Sequence, residues 1–228
     1  MKKVVVFTGA GVSAESGIKT FRDSGGLWEQ YDINEVATPQ AWQKNQKLVL
    51  DFYNQRRRQV MEAKPNAAHI ALAELERKFD VHIITQNIDD LHERAGSTKV
   101  LHLHGEIMKA RSSEYESLIY DVKGWELNEG ELCEKGFQLR PHIVWFGEMV
   151  PMMDPAVELT SNCDLFIVVG TSLDVYPAAG LINYASQESK KYLVDPKAKR
   201  LPYVLNLEVI EKTAGEGVPL LVKQLLSS

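Results

Sequence analysis

Blocks of apolar residues with polar ends recur along this chain at intervals that suit strands separated by helices. Val4-Val5-Val6-Phe7 is continuous and predicts a strand covered on both faces. Residues 81–85, 99–102, 165–169 and 191–194 have the same character. Between them the spacing turns helical. Residues 66–79, which follow Pro65, set Ile70, Leu72, Ala73 and Leu75 near one side. Residues 150–162 and 178–188 also predict helices. Strands alternating with helices predict an α/β chain built on a doubly wound parallel sheet. Two stretches interrupt the alternation. Residues 23–61 hold no good strand and predict a helical excursion, and residues 107–140 are polar, acidic and weakly patterned. The expected organisation is a large domain from residues 1–22, 62–106 and 141–228. A smaller discontinuous module, helical or irregular, would come from 23–61 and 107–140.

Bulk properties narrow the partners. The chain has 228 residues, with 26 Lys and Arg against 31 Asp and Glu, a net charge of −5. A mildly acidic field argues against nucleic acid or an anionic membrane as partner. No apolar stretch approaches the roughly 20 residues needed to span a bilayer. Met1-Lys2-Lys3 leads directly into the first strand, which is not the pattern of a cleaved signal. Two cysteines, Cys133 and Cys163, build no disulfide framework, so a reducing cytoplasm is the expected location.

The candidate chemistry lies where the apolar blocks end. Thr8-Gly9-Ala10-Gly11-Val12-Ser13-Ala14 fits the G-x-G-x-x-G/A fingerprint with Ala14 as its last member, so a Rossmann-like sheet is expected. Gly9 allows the tight turn. Gly11 lets backbone N–H groups approach a pyrophosphate, and a helix start after it favours negative charge. Thr85-Gln86-Asn87-Ile88-Asp89 stands at the carboxyl end of the second block, where open α/β sheets bind ligands. Four polar side chains there are costly unless something satisfies them, although Asn and Asp also cap helices in ordinary turns. In His102-Leu103-His104-Gly105-Glu106, strand alternation sends His102 and His104 to one face. A histidine there suits general base work; a hydrogen-bonded structural histidine is the other reading. His69 and His92, on predicted helices, are given structural roles. Gly170-Thr171-Ser172 offers small residues and hydroxyls suited to phosphate or ribose.

The set GAGVSAESGIKTFR, TQNIDDLHERAG, HLHGE, VWFGE and GTS, in this order and at these separations, resembles the sirtuin family of NAD-dependent protein deacylases. The resemblance runs over nearly the whole chain and points to bacterial members. It implies NAD as cosubstrate and acylated-lysine proteins or peptides as partners. By it, Gly9, Ala10 and Gly11 would hold the pyrophosphate. Ala14, Ile18, Phe21 and Arg22, with Trp28, would form the cofactor loop, Phe21 shielding the reactive ribose. Gln86, Asn87, Ile88 and Asp89 would line the ribose and nicotinamide pocket, Asn87 and Asp89 taking part in catalysis. His104 would be the general base. Gly170, Thr171 and Ser172 would contact the adenosine part. Val144, Trp145, Phe146, Gly147 and Glu148 would pair with the substrate backbone as an added strand. In the family's chemistry the acyl-lysine carbonyl oxygen attacks the ribose carbon and nicotinamide leaves. His104 then takes a proton from the ribose hydroxyls, and the products are free lysine, nicotinamide and O-acyl-ADP-ribose.

Three details refine this expectation. Tyr53 and Arg56 are i,i+3 on a predicted helix and hence neighbours. A phenol beside a guanidinium is a good carboxylate receptor. The spacing resembles the sirtuin subclass that removes succinyl and malonyl groups, and Ala37 also matches it, leaving room for an acid-bearing chain. Acetyl-lysine would remain a side substrate. Second, many sirtuins bind zinc through two Cys-x-x-Cys pairs, whereas this chain has Ser112, Tyr115 and a single Cys133 in that region. One thiolate cannot build a tetrahedral sulfur site, so no zinc is expected, and Leu118, Ile119, Trp125 and Leu132 are the expected packing residues. Third, the family's Asn-Leu-Glu triplet is present at Asn206-Leu207-Glu208, but one helix and one strand after Pro177 reach Leu193, Val194 and Asp195 first. The adenine-side contact is assigned to those three, with Ala214 closing over the adenine. Two rivals share the NAD site: a mono-ADP-ribosyltransferase and a non-catalytic NAD or ADP-ribose sensor. A hydride-transferring dehydrogenase fits less well, because it gives His104-Gly105 no special role.

Overall fold

A computed structural model describes residues 1–18, 31–173, 175–198 and 201–228. Its elements in chain order are β1 (Lys3–Thr8), α1 (Ile33–Val36), α2 (Pro39–Lys44), α3 (Gln46–Glu62), α4 (Ala67–Leu75), β2 (Asp80–Thr85), α5 (Leu91–Ala95), β3 (Val100–His102), β4 (Gly105–Ser112), β5 (Ile119–Asp121), β6 (Leu139–Ile143), α6 (Met153–Ser161), β7 (Leu165–Val169), β8 (Lys190–Val194), β9 (Leu207–Ile210) and α7 (Ala214–Ser227).

Six strands form one parallel sheet in the order β3-β2-β1-β7-β8-β9. β1 is central, which is why its apolar run is unbroken: Val4 and Val6 face one core layer, Val5 and Phe7 the other. The first layer packs under α4 and α7, the second under α6 and a 3₁₀ segment at Ala178–Asn183. The helix expected over 178–188 is thus a short 3₁₀ stretch. Gly180 lies in it, and its turns close i→i+3, as in Tyr184 N–H to Leu181 O at 3.0 Å.

The fingerprint does not open an α-helix. Two 3₁₀ turns, Ala10–Val12 and Ala14–Ser16, follow β1 and stop at Gly17, whose φ is 87°. Asn66 explains the interruption: its Nδ2 donates to Val12 O at 2.8 Å and to Ser16 Oγ at 3.0 Å, taking a carbonyl that a continuing helix would use. Asn66 also caps α4, accepting from Ala68 N at 2.9 Å, so the crossover helix begins against the loop it stabilises.

Residues 107–140 are more ordered than their pattern suggests. β4 pairs antiparallel with β5 and β6 in a three-stranded sheet. The strands are short, and the connections turn at Gly124, Gly130 and Gly136, all at positive φ, so no long alternation develops. The packing residues differ from those expected. Ile119, Trp125 and Leu132 are exposed, and the module instead closes through Ile107, Ala110, Leu127 and Ile143 against Phe52, Tyr53 and Val60 of α3. Arg57 is fully buried between them, its Nε donating to Ile107 O at 2.7 Å and its Nη1 to Trp125 O and Asn54 Oδ1, both at 2.8 Å. In the run Arg56-Arg57-Arg58 the middle residue is therefore a strut inside the protein. At the far end Cys133 Sγ lies 3.4 Å from Ser112 Oγ, and the Tyr115 and Phe137 rings meet edge-on at 5.5 Å.

Candidate active site

β1 and β7 lie side by side where the sheet reverses its winding, and the loops after them touch. Gly9 N–H donates to Val169 O at 3.0 Å and Gly11 N–H to Gly170 O at 2.8 Å. A Cβ on Gly9 would lie 2.7 Å from Thr171 Cβ, and one on Gly11 2.7 Å from Gly170 Cα. Gly170 adopts φ 61°, where a side chain would overlap Val12 N. These glycines let two loops close on each other, and the N–H groups of Gly9 and Gly11 are used up in doing so. Among the described residues, Ala10 keeps an uncommitted N–H at an exposed position.

Behind these loops lies a buried polar hub that the sequence reading missed. Its centre is Ser13, 1 % exposed. Ser13 Oγ donates to Asp89 Oδ2 at 3.0 Å and accepts from Asn87 Nδ2 at 3.1 Å. His69 reaches it from α4. Its Nδ1 accepts the Asn66 N–H at 3.3 Å, so its Nε2 carries the proton toward Ser13 Oγ at 3.5 Å. Thr8 Oγ1 donates to Thr85 Oγ1 at 2.9 Å and stands 3.1 Å from His92 Nε2. Asn87 gives its N–H to Thr85 Oγ1 at 3.0 Å. Ser13 was visible as a member of the fingerprint, yet nothing local indicates that it would join α4 to the Asn87–Asp89 turn. Burial raises the Asp89 pKa, with hydrogen bonds from Leu91 and Ser13 opposing it.

His69 and His92 are thus structural, as their helical positions implied, but they also support the site. Burial lowers His69 to about 4 and His92 well below its ordinary value. Both are neutral when folded, while the unfolded chain takes up protons below pH 6.5. Their contribution to stability is therefore full well above pH 6.5 and falls as the pH drops toward 4, opposing the smaller gain from His102, whose raised pKa favours folding at lower pH. Urea midpoints at pH 7.5, 6.5 and 5.5 check this: the last should be clearly lower, and His69→Gln should flatten the slope.

The two histidines after β3 have opposite characters. Burial depresses His102, but its Nε2 contact with Glu93 Oε1 at 2.7 Å outweighs that, and its pKa is raised. Its Nδ1 meets Asn87 O at 3.2 Å, so His102 is a cationic brace. Among the described residues His104 is hydrogen-bonded only to the Gln86 carbonyl, 2.9 Å from Nδ1, and burial lowers its pKa. A carbonyl only accepts, so Nδ1 carries the proton and Nε2 keeps a free lone pair. Gly105 follows at φ 82°, where a Cβ would overlap His142 O. That close contact starts β4 and fixes the direction of His104.

Gln86 is held over the loops, its Nε2 donating to Thr171 Oγ1 at 3.2 Å. Ser172 is exposed beside them. Ala14 is exposed, while Ile18 and Ile88 pack against the smaller module. At the other end of the cleft Val194 O accepts from Gly170 N at 2.9 Å. The Leu193 side chain, assigned to cofactor contact, is instead buried in the core layer with Val5 and Phe7. Asp195 is half-buried, and one of its oxygens accepts from Lys197 N at 2.8 Å. Asn206 precedes β9, so Asn206–Glu208 lie at the amino end of the sheet, away from the cleft. Ala214 is buried at the start of α7, and Glu15 ties that helix to the fingerprint: Oε2 accepts from Gly215 N at 2.6 Å and Oε1 from Thr213 Oγ1 at 3.2 Å. Glu15 is a second residue that sequence reasoning did not single out. Phe21, Arg22 and Trp28 lie outside the described residues.

On the side of the smaller module, Tyr53, Ala37 and Trp145 share one apolar cluster. Tyr53 is 2 % exposed and its phenol is pushed up to about 12, chiefly by burial. Arg56 lies one turn along α3; burial lowers its pKa, while Tyr53 and Asp89 favour its charge. The segment 144–148 is a turn after β6, and most of its N–H groups are already used. Val144 N donates to His104 O at 2.9 Å, Trp145 N to Glu148 Oε2 at 2.7 Å and Phe146 N to Ala37 O at 3.0 Å. Trp145 O accepts from Glu148 N at 3.0 Å, and Gly147, at φ 90°, has an N–H with no bond among the described residues. The Glu148 carboxylate is committed as well, to Arg140 at 2.8 and 3.1 Å, so its side chain anchors this turn.

Comparison with known proteins agrees with this geometry. The description "Sir2 family" matches residues 9–177, from the fingerprint past the Gly170 loop. An NAD-dependent protein deacylase of Helicobacter pylori is 54% identical over 228 residues, spanning 99% of this chain and 96% of that protein. One from Bacteroides thetaiotaomicron is 50% identical over 231 residues, spanning 99% and 98%. A solved Sir2 homologue bound to ADP-ribose is similar at a TM-score of 0.90 and 41% identity, covering 99% of this chain and 94% of that one.

Proposed function

The chain belongs to the Sir2 family and is an NAD-dependent protein deacylase, and from that premise we propose that it prefers lysines bearing an acidic acyl group, succinyl or malonyl, over acetyl-lysine. The observation that carries the reading is the pairing on α3 of a buried, protonated phenol with a guanidinium, Tyr53 and Arg56, beside the small Ala37. Together they offer a carboxylate a neutral donor and a cation side by side. A charge-assisted hydrogen bond there is worth about 1.5–3 kcal/mol, enough to separate an acid-bearing acyl chain from an acetyl group.

The cleft residues fit NAD. Gly9, Gly11 and Gly170 let the loops after β1 and β7 pack directly on each other at the head of the cleft, and Ala10 offers an N–H at its rim. NAD supplies, when bound, an activated glycosidic carbon with nicotinamide as leaving group. Asn87 commits its amide N–H to Ser13, so its side-chain oxygen is the group left to meet developing positive charge. Asp89, bonded through Ser13, adds negative potential from behind. His104 is neutral, with Nε2 ready to accept a ribose hydroxyl proton. Zinc is no part of this reading. Among the described residues, no group of three His, Cys, Asp or Glu could hold a metal ion.

The test is turnover of succinyl-, malonyl- and acetyl-lysine versions of one peptide, with NAD omitted as control. A kcat/KM for the acidic acyl groups about tenfold or more above acetyl is expected; an equal or lower value would overturn the preference.

A further inference from the structure

Trp145 is almost fully buried and held from every side. Its Nε1 donates to Tyr53 Oη at 3.1 Å. Its own N–H goes to Glu148 Oε2 at 2.7 Å. Arg140 lies over its ring with the guanidinium carbon 3.3 Å from the centroid, and the Trp42 ring packs beside it at 5.8 Å. Arg140 is itself fixed by two bonds to Glu148 and one to Ile143 O at 3.1 Å, and Arg111 approaches the same carboxylate at 3.5 Å.

The indole N–H can only donate. The Tyr53 oxygen therefore accepts at that bond, and its O–H must point elsewhere. Among the described residues, no acceptor lies within reach of that O–H, although the phenol is 2 % exposed. A buried donor without an acceptor is costly in the free protein and becomes useful when a ligand brings one. The cation on the indole face draws electron density from the ring and makes the N–H a stronger donor. We infer that Trp145, held by the Arg140–Glu148 pair, is a positioning residue that obliges the Tyr53 hydroxyl to donate to the acyl carboxylate. Acid selectivity then resides in a chain of contacts running from β4 and β6 to α3, as well as in the two residues facing the acyl group. The inference rests on the acidic-acyl reading above.

The experiment compares succinyl- and acetyl-lysine peptides on wild type, Trp145→Phe, Tyr53→Phe and the double variant. Trp145→Phe should lower the succinyl-to-acetyl ratio of kcat/KM by about 3–10-fold. The change should appear in KM for the succinyl peptide rather than in KM for NAD. In the Tyr53→Phe background the same substitution should move the ratio less than about twofold, because the phenol it orients is gone. If Trp145→Phe does not fold, Glu148→Gln, which loosens the clamp, takes its place with the same expected direction. Should Tyr53→Phe shift the ratio while neither of the other variants does, the positioning role is overturned and the acidic-acyl reading stands. An equal shift in the presence and absence of Tyr53 would likewise overturn it. If Tyr53→Phe leaves the ratio unmoved, the positioning role is overturned, whereas the acidic-acyl reading falls only if wild type itself shows no preference for the succinyl peptide.

Discussion

His104→Ala should reduce kcat on every acyl-lysine peptide by about 10²–10⁴-fold, the range a positioned general base contributes. Nothing beside it can take over. His102, two residues earlier, is engaged by Glu93 and Asn87, and His69 and His92 are neutral and enclosed behind Ser13 and Thr8. Among the described residues the His104 ring is hydrogen-bonded to the Gln86 carbonyl alone, so its loss should leave the packed loops of Gly9, Gly11 and Gly170 intact. ADP-ribose affinity, measured by calorimetry, should then stay within a few-fold of wild type. The wild-type pH profile makes a linked demand. Burial lowers the His104 pKa, so the neutral base is already available at pH 6.5. The ascending limb of kcat should have its midpoint below that value and vanish from the variant's residual activity. A midpoint above pH 7, or a variant with near wild-type kcat, would remove His104 from the mechanism.

Arg56→Met is the second large effect. Methionine keeps much of the apolar bulk of the side chain and deletes the charge. Losing a charge-assisted hydrogen bond to a buried carboxylate should cut desuccinylation by about 10–100-fold. Deacetylation, which presents no carboxylate, should fall far less. The guanidinium stands on α3 near Tyr53 and Asp89, so some general effect through Asp89 is expected. The diagnostic quantity is therefore the ratio of the two kcat/KM values on a common peptide. Equal losses on both acyl groups would show that Arg56 serves the NAD side of the cleft and does not read the acyl chain.

The parallel sheet was legible because its strands are covered on both faces, and unbroken apolar runs such as those of β1 and β7 would be wasted on an element with a wet side. The smaller module was not. β4 shows no strict inside–outside alternation, β5 has three residues, and the connection from β5 to β6 turns at Gly124, Gly130 and Gly136, so neither period builds up. The interior position of Arg57 was hidden for a related reason: a run of three arginines suggests a wet surface, and only the carbonyls of Ile107 and Trp125 make its burial tolerable. Within the site, residues at strand ends could be located because chain order alone puts them at the carboxyl edge. Their allegiances could not. Glu148 resembles a substrate contact in sequence and in three dimensions is the anchor of Arg140. Ser13 and Glu15 look like fingerprint filler, and their partners lie on α4, the Asn87–Asp89 turn and α7.

The contact between Glu15 and Gly215 spans 200 residues of chain. A growing polypeptide emerging from the ribosome makes the fingerprint loop first and its tether almost last. Until α7 has been translated and docked, the nucleotide end of the cleft lacks one wall, so unfinished chains should be enzymatically silent. Proteolytic clipping ahead of α7 should have the same consequence in the mature molecule, switching it off while leaving His104, Asn87 and the Tyr53–Arg56 pair in place.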